Sequence, residues 1–142
     1  MSPPSFSNHL LLHLNLIGGL LVALALLHFG FPRRFGWKTE LRTLSPINRQ
    51  MMEVHTFFVA LTVGLMGVLC LTSAPELLGT PLGRKVCLGL TVFWSVRLVA
   101  QFGWYSSELW RGKRFETVMH VLFSLLWLYL SGVFWLGYAR GG

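Results

Sequence analysis

The chain has 142 residues, of which 54% are hydrophobic and only 12% charged, with a mean hydropathy of +0.59 and a net charge of +7. A soluble domain carries about 25% charged residues, so this chain lacks the charge to cover a water-facing surface and belongs to the membrane class. Nucleic-acid binding is excluded despite the basic balance, because the Lys and Arg residues cluster between apolar segments instead of lining one face among stacking aromatics.

In chain order, the N-terminal stretch MSPPSFSNHL has no Lys or Arg, unlike a secretory leader, and predicts a retained first helix. A bilayer core of about 30 Å needs about 20 apolar residues in a helix. Four stretches meet this, with apolar spans at 10–31, 51–72, 86–105 and 117–138. They predict an all-α, integral membrane bundle of four transmembrane helices over about 10–31, 46–72, 86–111 and 116–138, forming a single domain over 1–142. The runs are Leu-rich and lack the alternation of a membrane barrel. Between the first two, "WKTELR" is amphipathic and suits the membrane surface, and Ser45-Pro46 supplies an N-cap followed by Pro at the first helical position. The middle connection, SAPELLGTPLGRK, is rich in Pro and Gly; the last, ELWRGKRFE, turns at Gly112.

The first and third connections carry eight Lys and Arg: Arg33, Arg34, Lys38, Arg42, Arg49, Arg111, Lys113 and Arg114. The opposite side carries three, Arg84, Lys85 and Arg140. The positive-inside rule places the eight in the cytoplasm. This predicts an N-out/C-out, multi-pass protein of a bacterial inner (cytoplasmic) membrane.

That orientation gathers His28, Glu53, His55, Glu108, Glu116 and His120 into one cytoplasmic layer. Helical spacing puts Arg97, Gln101, Trp104 and Glu108 on one stripe, and His120, Ser124, Trp127 and Ser131 on another. A charge at the bilayer centre costs from about 3 to more than 10 kcal/mol, so Arg97, placed about halfway along its helix, must face the bundle interior. Gln101, one turn away, offers a carbonyl. Glu53 is the best placed carboxylate, since Glu108 lies about 16 Å along the helix.

Arg97 and Gln101 read first as a polar staple between helices, second as a site for an anionic headgroup, a propionate or a quinone carbonyl, with Trp104 beside it, and third as a snorkelling arginine on the lipid face. His28, His55 and His120 read first as interfacial histidines bonded to water or headgroups. The alternatives are a transition-metal site with Glu108 or Glu116, or axial ligation of a haem or chlorin. No compact metal signature is present. His9 and His13, four apart, read as a polar helix end ahead of an outer metal pair. Trp37, Trp104, Trp110 and Trp135 suit an interfacial aromatic belt, whereas Trp94 and Trp127 lie deeper. Gly18-Gly19 and Gly64 with Gly67 suit close helix approach. Cys70 and Cys87 fall at the same face, where buried thiols are favoured over a disulfide. No Ser or Cys stands in a triad context and there is no Asp, so nucleophilic catalysis is not expected. The four spans show no internal repeat of the transporter kind.

At "LRTLSPINRQMMEVH" and "FWSVRLVAQFGWY" the chain resembles a family of small bacterial inner-membrane proteins of four helices with no assigned activity. The matching blocks are Ser45, Pro46, Arg49, Gln50 and His55, then Phe93, Trp94, Arg97, Gln101 and Tyr105. The resemblance implies the fold and no activity. The expected role is therefore a non-catalytic membrane subunit or accessory protein, packing in the lipid bilayer against other membrane-protein subunits or holding a lipid-like ligand. The alternative is a redox protein binding haem, a chlorophyll-type pigment or quinone through His28, His55, His120, Arg97, Gln101 and Trp104.

Overall fold

The computed structural model describes residues 4–141, with side chains from residue 7. Seven α-helices and two short 3-10 turns follow one another: α1 (Pro4–His28), α2 (Phe31–Arg34), α3 (Trp37–Glu40), a turn at Leu41–Thr43, α4 (Pro46–Thr72), α5 (Ala74–Gly79), α6 (Pro81–Gly103), a turn at Ser107–Leu109, and α7 (Arg114–Arg140). The described residues contain no strand. Four helices, Ser7–His28, Pro46–Thr72, Pro81–Gly103 and Arg114–Arg140, are long and apolar enough to cross a membrane.

The helix ends follow from local chemistry. Pro32 lacks the N–H that would bond the His28 carbonyl, so α1 stops at His28 and not at residue 31, and a short α2 restarts beyond Gly30. The helix α4 opens at Pro46 as its sequence predicts, but Ser45 makes no side-chain cap. The start of α6 precedes the expected residue 86, because Thr80 accepts a hydrogen bond from Gly83 N (2.9 Å) with Pro81 at the first helical position. That helix ends at Gly103, eight residues short of 111. Arg97 thus lies six residues from its C-terminal end, about 9 Å along the axis, rather than at mid-span.

The chain divides into two compact units. One is Leu14–Ala74; the other joins the residues up to His13 to those from Pro75 onward. Within the Leu14–Ala74 unit, α1 and α4 meet through glycines. A Cβ on Gly67 would stand 2.8 Å from the Gly18 carbonyl oxygen, and one on Gly18 would stand 2.6 Å from Leu71 Cγ. Gly64 packs against Ala25 more loosely, whereas Gly19 faces open space. Leu14, Ile17, Leu21, Val63 and Cys70 on these two helices are buried.

In the other unit α6 packs along α7. Trp94 stacks on Trp127 with ring centroids 5.0 Å apart, and Trp127 on Phe123 at 5.5 Å. Leu90, Leu130, Phe134 and Cys87 complete this core. Cys87 lies beside Gly137 and donates to the Leu77 carbonyl (3.7 Å). Both cysteines are fully buried thiols. Leu12, Val96 and Val99 in this unit, and Leu26 and Leu65 in the Leu14–Ala74 unit, are each at least 60% exposed. A surface so apolar suits acyl chains, not water.

Candidate functional site

Six residues into α7 and six from the end of α6, His120 and Arg97 are joined through Gln101. Arg97 Nη1 donates to Gln101 Oε1 (3.0 Å), and Gln101 Nε2 lies 3.0 Å from His120 Nδ1. A guanidinium can only donate, so Gln101 must turn its carbonyl to Arg97 and its amide N–H to His120. His120 Nδ1 is then an acceptor, and the neutral ring carries its proton on Nε2.

The surroundings hold each member in place. Gln101 is buried. The Arg97 guanidinium sits 5.1 Å from the Trp127 ring and 5.6 Å from that of Tyr105, within cation–π range. His120 lies flat against Trp110 (4.8 Å, 12°) and edge-on to Phe102 (5.4 Å). Gly112, at φ +78°, takes the left-handed conformation that suits glycine and folds the loop back over His120. Thr117 Oγ1 pins that loop by donating to the Trp110 carbonyl (2.6 Å). Ser124 and Ser131, also on the α7 stripe, are satisfied by carbonyls of their own helix, His120 and Trp127. The indole N–H groups of Trp94 and Trp127 are buried without a hydrogen-bond partner.

Trp104 does not join the site. It is 89% exposed, although its backbone N–H still bonds the Ala100 carbonyl at the end of α6. Glu108 leaves the stripe because α6 ends at Gly103, and it lies exposed in the Ser107–Leu109 turn. The partners of Arg97 are Gln101, Tyr105 and Trp127. No carboxylate is among them.

Two further candidates for a cofactor, His28 and His55, lie in the Leu14–Ala74 unit, as does Glu53. His55 is exposed, its Nδ1 2.7 Å from the Met51 carbonyl oxygen. His28 is half-buried, its Nδ1 2.8 Å from the Leu24 carbonyl oxygen and its ring 4.6 Å from that of Phe31. His28 and Glu53 instead line a cavity of about 530 Å³ together with Trp37, Lys38, Arg42 and Arg49. Sequence periodicity missed this cavity, because Trp37, Lys38 and Arg42 come to it from the short α3 and the turn after it, opposite a wall supplied by α4 (Arg49, Glu53, Thr56, Phe57 and Ala60). The available signal was the Gly30–Pro32 break, which folds that segment back.

His13 bonds Tyr129 Oη at 2.7 Å. Among the described residues no group of three or more His, Cys, Asp or Glu is arranged to hold a metal ion. Comparison with family models, curated proteins and solved structures finds no match to this chain.

Proposed function

We propose that this chain is a non-catalytic, multi-pass protein of a bacterial inner membrane, and that Arg97 holds a lipid-like ligand through a carbonyl or anionic oxygen. The observation that carries this reading is the company Arg97 keeps. Among the described residues it has one hydrogen bond, to a neutral amide, and two aromatic rings, within an apolar helix. A charge that is taken out of water needs compensation, and one amide carbonyl supplies little of it. An acceptor from outside the chain completes the guanidinium. Its rigid fork favours a planar or bidentate oxygen group, such as a quinone or ester carbonyl.

The site has the character of a holder. Gln101, His120 and Trp110 are fixed by packing and hydrogen bonding, and the neighbouring hydroxyls of Thr117 and Ser124 are committed to backbone carbonyls. Purification from native membranes in mild detergent, followed by mass spectrometry of bound species, tests the reading. A small amphiphile retained by the native chain and lost in Arg97→Leu supports it. A protein subunit lost in the same way would assign Arg97 to an interface instead.

A further inference from the structure

We propose a second and separate site: the cavity of the Leu14–Ala74 unit binds the phosphate headgroup of an anionic phospholipid. Lys38 on α3, Arg42 in the turn after it and Arg49 on α4 line one cavity, against a single carboxylate, Glu53. Charge segregation across a membrane explains why these side chains lie on one side. It does not explain why they converge on a shared space, where like charges repel unless an anion lies between them.

The cavity's chemistry identifies the anion. Its volume, about 530 Å³, falls in the range of roughly 300–1,000 Å³ typical of ligand sites. Half-buried Arg49 offers a fork that matches phosphate oxygens, with Lys38 and Arg42 as further donors. The remaining wall includes Phe29, Trp37, Phe57 and Ala60. A free phosphate ion has no use for those apolar groups, whereas a glycerolipid does. Phe29 and Phe57 are 63% and 50% exposed, so acyl chains can leave the cavity along them. Trp37 suits the glycerol level, where indole rings concentrate. Basic pockets between membrane helices hold anionic headgroups by this combination of charge and apolar contact. Glu53 opposes the anion, and its removal should strengthen binding.

Native mass spectrometry of the full chain in neutral detergent, titrated with phosphatidylglycerol, phosphatidylcholine or glycerol phosphate, tests this. The native chain should retain one phosphatidylglycerol in preference to phosphatidylcholine. Lys38→Gln with Arg49→Gln should weaken that binding by about tenfold or more, at about 1 kcal/mol per cation near an anionic surface. Glu53→Gln should tighten it, and because it changes affinity in the opposite direction a folding defect cannot mimic it. Arg111→Gln with Lys113→Gln removes the same charge outside the cavity and should leave binding unchanged. Equal weakening in both double variants would overturn the site in favour of diffuse attraction. Competition by glycerol phosphate at equal concentration would overturn the lipid as its source. Retention of phosphatidylglycerol by Arg97→Leu is expected, which separates this site from the one at Arg97.

Discussion

Gln101 Nε2 stands 3.0 Å from His120 Nδ1, and because Arg97 occupies the amide's oxygen, the imidazole must accept at that nitrogen. The side-chain amide therefore sets the tautomer of a histidine on the neighbouring helix. Replacing Gln101 by Glu keeps an oxygen for Arg97 but removes the donor to His120. The neutral ring should then move its proton from Nε2 to Nδ1. Nitrogen-15 NMR of histidine-labelled protein reads this directly: an unprotonated Nδ1 in the native chain, and a protonated one in Gln101→Glu.

The glycine seam makes an unequal pair of predictions. Gly67→Leu forces a side chain where a Cβ alone would meet the Gly18 carbonyl at 2.8 Å, whereas Gly19 has nothing within 4 Å. Overpacking of a tight seam costs about 1–3 kcal/mol. Thermal unfolding in detergent should show a lower Tm for Gly67→Leu and little change for Gly19→Leu. Equal Tm values would mean that the seam is not closely packed.

Orientation is open to labelling at Lys38, which is exposed. A cysteine placed there should resist an impermeant maleimide in intact cells and react after permeabilisation. Glu76→Cys, exposed at the opposite connection, should react in intact cells. The native cysteines are fully buried and add little background. Reversed reactivity would invert the topology.

Much of this was legible in the sequence, and the misses share a cause. Long apolar runs announce four helices because the bilayer demands length and continuity. The pairing of Arg97 with Gln101 follows from a spacing of four within α6. The partner across the helix pair, His120, did not follow, because its match in depth depends on both helix ends: α6 stops at Gly103 and α7 starts at Arg114. Carrying the helix to residue 111 misplaced Glu108 and made Arg97 look deeper than it is, whereas Trp104 completes the last helical turn and is nonetheless exposed. The signals at Thr80-Pro81 and Ser45-Pro46 are alike in sequence, yet Thr80 caps with its side chain and Ser45 does not. Arg49 and Glu53 reach the cationic cavity from the long α4, but Lys38 and Arg42 come from a short helix and a turn, where periodicity has too few residues to speak.

The thiols give a direct chemical prediction. Cys70 and Cys87 are both buried and unbridged, so the denatured, unreduced protein should take up two alkyl groups. Prior reduction should add none. A mass showing one or no alkyl group without reduction would mean that a disulfide forms.

On the reading proposed above, Arg97 is completed by an oxygen acceptor from a lipid-like ligand. The most direct test of that reading is quantitative mass spectrometry of molecules that co-purify from native membranes with the native chain, Arg97→Lys and Arg97→Leu. The account predicts one amphiphile bound to the native chain, reduced in Arg97→Lys and at least tenfold lower in Arg97→Leu, a loss of about 1.4 kcal/mol or more. Identical profiles for all three proteins, or a haem-like pigment lost on His120→Ala but retained in Arg97→Leu, would contradict it.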